Sequence, residues 1–267
     1  SGEIRIGGCL AFGQNVAVAI EGFINEGKIA NEFETSAANA LGGIVGRIYG
    51  KGSEEKISGC QNSGAVYSHS MASDKPGGVA GILGYFEASA AEGIGQSTLF
   101  VDNCINTANI TQYGLGTGNN HVGGVVGNVK GANAAGSILN CSNSGNVQNG
   151  TTADTYTGKW IYTGGIVGQF GIGSGAIKGC TNSGDVINGV HSNSTGGNLR
   201  MGGIVGNADN TTFEDNTNSG TVKDVSLSYS IDFGGIIGRF NCNSTSTMKG
   251  CKNTGNIISE NKYTGTA

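Results

Sequence analysis

Aromatic side chains with a polar end are the residues of this chain best suited to binding, and they cluster in a few segments. The candidate binding residues are Tyr67, Tyr113, Tyr156, Trp160, Tyr162 and Tyr229. All three histidines lie in the same segments: His69, His121 and His191. Such rings suit stacking on a glycan or contact with a host surface protein. If the segments leave one edge of the fold, they form a single binding face; alternatively, some fold inward and cover a strand.

Acid–base catalysis would require clustered carboxylates, and this sequence does not show such a pattern. Glycoside-cleaving enzymes need two carboxylates held at a set spacing. The 19 acidic residues are scattered, and the only adjacent pairs are Glu54-Glu55 and Glu214-Asp215. We therefore predict a non-enzymatic protein with no catalytic residues, no metal and no cofactor. The alternative is a carbohydrate-active β-helix enzyme, because stacked coils can bring distant carboxylates together.

Composition narrows the class of protein further. Charged residues make up 13% of the chain and the net charge is −4, which disfavours nucleic acid as a partner. The longest apolar run, 16–20, is too short to span a bilayer. Residue 1 is Ser, so we expect a targeting segment and flanking domains outside this sequence.

A phrase of the form Cys-x-Asn-x-Gly recurs along the chain and indicates a repeat architecture. Its central residues are Asn25, Asn62, Asn106, Asn143, Asn182, Asn218 and Asn253. Stacked Asn side chains can hydrogen-bond along a ladder. The Gly two residues later, replaced only by Ala108, is expected to supply a positive φ.

The Cys position of this phrase is predicted to be a core column. It holds Cys60, Cys104, Cys141, Cys180 and Cys251, with Phe23 and Asn216 in the other copies. A position that accepts Cys or Phe is most simply a buried apolar site. We predict reduced thiols, although adjacent coils would place them within disulfide range.

A second phrase, Gly-Gly-aliphatic-aliphatic-Gly, alternates with the first. The seven repeats start near residues 7, 42, 77, 123, 164, 202 and 234. Two apolar columns follow: Ile44, Val79, Val125, Ile166, Ile204, Ile236 and, beside it, Val45, Ala80, Val126, Val167, Val205, Ile237. Because neighbouring strand residues point to opposite faces, we expect a strand buried on both sides; the alternative is a bulge that turns both columns inward.

An outward column is predicted two residues before the Gly-Gly phrase, at Arg5, Ala40, Lys75, His121, Tyr162, Arg200 and Asp232.

Short strand patterns separated by turn residues predict an all-β fold, a single-stranded parallel β-helix (solenoid) over residues 1–267 with about seven irregular coils. We expect right-handed coiling by analogy with parallel crossovers. A propeller would need four strands per repeat, and a sandwich would not repeat itself.

The paired phrases resemble the bacterial GLUG repeat, from Gly7 to about Ile257. This resemblance implies a secreted or cell-surface bacterial protein, often an adhesin-like β-solenoid. GLUG repeats also accompany immunoglobulin-A-cleaving zinc peptidases, whose catalytic helix carries His-Glu-x-x-His. That motif is missing here, since the three histidines are followed by Ser, Val and Ser. The resemblance therefore implies an adhesin-like or spacer segment that presents loops for glycan or protein binding.

Overall fold

The computed structural model of the chain is all-β, with parallel strands stacked as a solenoid. It describes residues 3–15, 17–32, 38–69, 77–89, 91, 93–113, 119–150, 155–156, 160–189, 191–192, 198–225 and 230–260. Every strand pairing in these residues is parallel, which confirms the predicted fold class.

Seven coils follow one another along the chain. Coil 1 holds β1 (Glu3–Gly7), β2 (Leu10–Gln14), β3 (Ala19–Glu21), β4 (Ile24–Asn25) and β5 (Ile29–Asn31). Coil 2 holds β6 (Ala38–Gly42), β7 (Val45–Gly50), β8 (Glu54–Ser58), β9 (Gln61–Asn62) and β10 (Val66–His69). Coil 3 holds β11 (Gly78–Ala80), β12 (Leu83–Ala88), β13 (Ser97–Asp102), β14 (Ile105–Asn106) and β15 (Ile110–Tyr113). Coil 4 holds β16 (Asn120–Gly123), β17 (Val126–Leu139), β18 (Ser142–Asn143) and β19 (Val147–Asn149), and is followed by β20 (Thr155–Tyr156).

The remaining coils repeat this order. Coil 5 holds β21 (Trp160–Gly164), β22 (Val167–Lys178), β23 (Thr181–Asn182) and β24 (Val186–Asn188), followed by β25 (His191–Ser192). Coil 6 holds β26 (Asn198–Gly202), β27 (Val205–Glu214), β28 (Thr217–Asn218) and β29 (Val222–Asp224). Coil 7 holds β30 (Ser230–Gly234), β31 (Ile237–Asn241), β32 (Met248–Lys249), β33 (Lys252–Asn253) and β34 (Ile257–Ser259).

Four long sheets run along the rod, each built from equivalent strands of successive coils. Sheet 1 has the order β1-β6-β11-β16-β21-β26-β30. Sheet 2 contains β2, β7, β12, β17, β22, β27 and β31, together with β3, β8, β13 and β32. Sheet 3 has the order β4-β9-β14-β18-β23-β28-β33, and sheet 4 has the order β5-β10-β15-β19-β24-β29-β34. Each coil therefore lies directly over the previous one, and about six turns separate the first coil from the last.

The chain turns a sharp corner between sheets 1 and 2, and this corner explains the two apolar columns. Ile44 N and Val45 N both donate to the Ile82 carbonyl of the next coil, at 3.2 and 2.8 Å. Ile44 and Val45 belong to the same buried cluster. The expectation of a strand buried on both sides is therefore wrong, because a bulge-like corner turns both columns into one core.

The register also corrects the predicted start of the third coil. Val79 pairs with Leu41, and Leu83 pairs with Val45, so Ile82 lies beneath Ile44. The segment 77–81 imitates the Gly-Gly phrase, but the true corner is Gly81-Ile82-Leu83. Val79 and Ala80 thus leave the two predicted columns, and Gly78, not Lys75, takes the outward position next to Ala40. Lys75 lies outside the described residues.

The rod has two apolar lobes joined at a narrow waist. The larger core is enclosed by sheet 2 and the Cys column. The second lobe lies between sheets 1 and 4, which pack face to face through residues such as Leu41, Val79, Val66 and Ile110. Because these sheets share a core, their outer faces point in opposite directions.

The waist is a contact between the Asn ladder and a column of glycines at the corner. Asn62 Nδ2 donates to Asn106 Oδ1 at 2.8 Å and to the Gly64 carbonyl at 3.0 Å. The same bond joins all seven Asn of the repeat, from Asn25 to Asn253. A Cβ built on Gly43 would lie 2.4 Å from Asn62 Cγ. The ladder therefore seals the waist only because the facing position has no side chain.

The positive-φ position of the repeat is not the one predicted from the sequence. It precedes the Cys position in every coil: Gly22, Gly59, Asn103, Asn140, Gly179, Asp215 and Gly250, with φ between 52° and 66°. The Gly after the Asn is required for another reason, because a Cβ on Gly184 would lie 2.0 Å from the Gly145 carbonyl oxygen. Close stacking of backbones, not left-handed geometry, selects that glycine.

The Cys column is buried in its four inner members and all its thiols are free. Cys141 Sγ donates to the carbonyls of Leu139 and Val101, at 3.1 and 3.6 Å. Hydrogen bonding with the thiols of Cys104 and Cys180, together with burial, raises the pKa of Cys141 well above its usual value. Such thiols act as small apolar side chains with weak donors.

Candidate binding groove

The predicted aromatic residues lie in two groups on opposite sides of the lobe formed by sheets 1 and 4. Tyr67 and Tyr113 are on sheet 4, whereas Trp160 and Tyr162 are on sheet 1. They therefore do not form the single face that was predicted. Tyr156 lies in the small pair of strands β20 and β25, and Tyr229 lies outside the described residues.

A concave groove runs along the rod where the outer faces of sheets 1 and 2 meet across the corner. Arg200 Nη1 on sheet 1 donates to Asn207 Oδ1 on sheet 2 at 2.8 Å. One coil further on, Arg239 of sheet 2 lies 3.5 Å from the Asp232 carboxylate of sheet 1. These contacts bring the outward columns of two sheets together, so we define coils 4–7 of this concavity as the binding groove.

Glycines at the corner allow this close approach. A Cβ on Gly168 would lie 2.8 Å from Val122 N, and one on Gly206 would lie 2.7 Å from Thr163 N. The third Gly of the repeat phrase therefore lets the backbones of sheets 1 and 2 lie against each other. The groove is thus built into the same phrase that forms the core.

The sheet 1 wall is a stack of aromatic rings and one guanidinium group. The rings of His121 and Tyr162, from successive coils, have centroids 5.1 Å apart. The Arg200 guanidinium lies 4.2 Å from the Trp160 ring centroid and 5.4 Å from that of Tyr162. The rings of Trp160 and Tyr162 are nearly parallel, at 5°. Cation–π contact with Arg200 therefore holds both rings in a fixed orientation.

The sheet 2 wall is polar and carries a notch. Lys130, Gly171 and Asp209 occupy one position in three successive coils. A space of about 520 Å³ opens beside Lys130, Gly171 and Asp209 and extends over the residues that follow them in the same strands; none of its lining residues belongs to sheet 1. Gln169 and Asn241 also line this space. Asn241 Nδ2 donates to Asp209 Oδ1 at 2.7 Å, which fixes the carboxylate.

Burial controls the ionisation of the groove residues. It lowers the pKa of His121 to about 4, and the nearby Lys130 charge acts in the same direction. Burial raises the pKa of Tyr162 to about 12. At neutral pH the stack therefore consists of a neutral imidazole, a neutral phenol and a charged Arg200.

The amino-terminal end of the same concavity is filled by ion pairs. The Arg47 guanidinium contacts the carboxylates of both Glu3 and Glu87, and it lies 4.9 Å from the Tyr85 ring centroid. Although burial opposes it, hydrogen bonding to Arg5 and Arg47 holds the pKa of Glu3 below its usual value. The charges satisfy each other here, so coils 1–3 leave little polar capacity for a ligand.

A smaller aromatic group lies on the outer face of sheet 4. The rings of Tyr67 and Tyr113 are 5.2 Å apart, and Lys28 Nζ lies 5.6 Å from the Tyr67 centroid. The Lys28 ammonium also pairs with the Glu32 carboxylate. The Tyr67 and Tyr113 side chains are half-buried, whereas the ion pair beside them is exposed.

One wall of the groove was predicted from the sequence and the other was not. His121, Tyr162 and Arg200 do share one column that faces away from the core between sheets 1 and 4, but all three are buried, not exposed as an outward position predicts. Lys130, Gln169 and Asp209 had no distinguishing pattern, since their position relative to sheet 1 depends on the angle of the corner. The notch is marked by one glycine, Gly171, with a charged residue at the same position in the coil before it and in the coil after it. This pattern becomes visible only once the strand register between the coils is known.

Comparisons with protein-family models, curated proteins and solved structures returned no match to this chain. The resemblance to GLUG repeats therefore stays a prediction. Within the described part of the chain, no helix has the length and apolarity to cross a membrane. Nor do three His, Cys, Asp or Glu side chains of those residues gather where they could hold a metal.

Proposed function

We propose that this chain is a non-enzymatic, adhesin-like β-solenoid that binds a glycan chain in the groove of coils 4–7. The observation that supports this most is the pairing of two different walls. On sheet 1, Arg200 holds the half-buried Trp160 and the buried Tyr162 ring, and on sheet 2 a cavity is lined by amide, carboxylate and ammonium groups. Aromatic rings beside convergent polar groups are typical of sites that bind amphipathic ligands such as sugars.

The shape of the groove favours an extended ligand. Equivalent positions repeat every coil, about 4.8 Å apart along the rod. A polymer lying along the axis can therefore meet one wall residue per coil. Display at a bacterial cell surface is part of this proposal, supported by the resemblance to GLUG repeats.

The test is glycan binding by the purified chain and by two matched aromatic variants. Trp160→Ala removes the ring from the groove, whereas Tyr67→Ala removes a ring from the opposite side of the lobe. We expect Trp160→Ala to weaken binding about tenfold or more, as for a central aromatic contact, and Tyr67→Ala to leave it unchanged. Circular dichroism and thermal unfolding of both variants check that the solenoid is intact.

Three outcomes would overturn the proposal. Equal loss of affinity in both variants would place binding outside the groove. Absence of glycan binding would favour a spacer that only projects another domain. Release of shortened sugar products would favour the carbohydrate-active enzyme, the alternative predicted from the sequence.

A further inference from the structure

The notch at Gly171 is the one place in the groove where a whole side chain is missing from an outward column. The column reads Glu87, Lys130, Gly171, Asp209 and Asn241 in successive coils. Every other member carries a polar side chain, so the gap at Gly171 extends over a single coil along the rod axis. With strands about 4.8 Å apart, Lys130 and Asp209 have Cα atoms about 10 Å apart.

A side chain at Gly171 would first meet flexible side-chain ends, and the nearest backbone atom, the Val129 carbonyl oxygen, would lie 3.6 Å from its Cβ. A Cβ there would lie 3.2 Å from Gln169 Nε2 and 3.3 Å from Asp209 Oδ2. By contrast, a Cβ on Gly165 of the same coil would lie 2.1 Å from the Gly203 carbonyl oxygen. Packing of the core therefore does not require a glycine at position 171, and the space left by the missing side chain is open to a ligand.

The charges around the notch are not balanced. Asp232 is paired with Arg239 and Arg200, and Glu87 is paired with Arg47. Lys130 is exposed, and across the described ranges its ammonium has no carboxylate within ion-pair distance. The Asp209 carboxylate, already hydrogen-bonded by Asn241, still has acceptor capacity for hydroxyl groups.

We propose that the notch is a subsite for an acidic sugar residue, one that carries a carboxylate beside several hydroxyls. The Lys130 ammonium pairs with the sugar carboxylate, and Asp209 accepts hydrogen bonds from hydroxyls on the opposite edge of the ring. Gln169 supplies a neutral amide to the same ring. This inference rests on the proposed function and names the class of glycan that the groove selects.

The experiment compares acidic glycans with neutral counterparts that have the same backbone. Binding of oligogalacturonate and of its fully methyl-esterified form is measured by calorimetry, and sialyllactose is compared with lactose. The variants are Lys130→Met, which removes the charge, and Gly171→Leu, which fills the notch. Lys252→Met is the control, because Lys252 is an exposed lysine on sheet 3, away from the groove.

We expect at least one acidic glycan to bind about tenfold more tightly than its neutral counterpart, with weaker binding at high salt. Lys130→Met should abolish that preference, Gly171→Leu should abolish binding at the subsite, and Lys252→Met should change nothing. If neutral and acidic glycans bind equally and Lys130→Met has no effect, the subsite is disproved while the groove remains a glycan site. If no glycan binds to the wild-type chain, the proposed function fails together with this inference.

Discussion

Arg200 shows how a single side chain can organise the wall of a groove. Its guanidinium lies over both Trp160 and Tyr162, donates to Asn207, and approaches the Asp232 carboxylate to 3.7 Å. A planar guanidinium can stack and hydrogen-bond at once, which an ammonium group cannot do. The aromatic rings are therefore held in place before any ligand arrives, which lowers the entropic cost of binding.

Arg200→Lys tests this organising role. The lysine keeps the charge but loses the stacked plane and the fork of donors, so Trp160 and Tyr162 should become more mobile. We expect the intrinsic fluorescence of Trp160, the only Trp in the chain, to show increased quenching by acrylamide. Unchanged quenching would show that Trp160 is held by other contacts.

His121 predicts a pH dependence of stability. Its pKa is about 4 in the folded chain against 6.5 for a free side chain, so the unfolded state binds a proton that the folded state does not. The stabilising contribution is fully present above pH 6.5 and is lost as the pH falls towards 4. The lowered pKa corresponds to about 3 kcal/mol across that window.

The measurement is denaturant unfolding of wild type and of His121→Phe between pH 4 and pH 7. The phenyl ring keeps the stack on Tyr162 but cannot take up a proton. We expect the free energy of unfolding to fall less steeply with decreasing pH in the variant. Parallel pH profiles would show that the imidazole titrates normally in the folded chain.

At the scale of the element, the structure of each coil depends on the waist, where the Asn ladder contacts the glycine column. Six side-chain bonds join the seven Asn, and each Asn also donates to a carbonyl in its own turn. A buried ladder of this kind is favourable only when every member is satisfied. The glycine column opposite makes room for it, and this is why both repeated phrases are needed.

Asn143→Ala should remove a central member of the ladder. It leaves one N–H of the Asn106 amide and the Asn182 Oδ1 without their ladder partners, although Asn106 still donates to the Ala108 carbonyl. Each unsatisfied buried group costs roughly 1–3 kcal/mol, so we expect a loss of about 2–5 kcal/mol in unfolding free energy. Asn253→Ala, at the exposed end of the ladder, is the control and should cost clearly less. Equal losses would mean that the bonds along the ladder contribute little.

Gly165→Ala tests the other side of the waist. The new Cβ would lie 2.1 Å from the Gly203 carbonyl oxygen and 2.4 Å from Asn182 Cγ, so the coil must shift. We expect a loss of more than about 2 kcal/mol, as for overpacking in a core. At Gly171→Ala in the same coil, the Cβ meets two side-chain ends first and lies 3.6 Å from the Val129 carbonyl oxygen, so stability should change by less than about 1 kcal/mol. Thermal unfolding of the two variants gives the comparison, and similar melting temperatures would contradict it.

Much of the coil could be predicted from the sequence, because stacking repeats the same environment in every copy. The Asn and Cys columns and the parallel fold follow from the repeated phrases alone. The corner could not be predicted, because alternation along a strand does not show where a backbone bends. The third coil was misaligned for a related reason: Gly77-Gly78 imitates the corner phrase, and Ala80 stands where the other coils have Gly. The left-handed position was missed because Gly, Asn and Asp share it.

At the scale of the whole molecule, the groove arises from the same winding that builds the core. Sheets 1 and 2 fold back on each other at every corner, so one concavity extends along the rod. Ion pairs fill its amino-terminal end around Arg47, whereas the aromatic stack and the notch occupy coils 4–7. The outward positions carry unlike residues from coil to coil, such as His121, Tyr162 and Arg200, so binding can change without disturbing the solenoid.

The most direct test of glycan binding in the groove is a crystal structure of the chain with a bound acidic oligosaccharide. We expect sugar density along the groove, with one ring beside Trp160 and Tyr162 and a carboxylate within hydrogen-bond distance of Lys130 Nζ. Density only against Tyr67 and Tyr113 on sheet 4, with an empty groove, would contradict it.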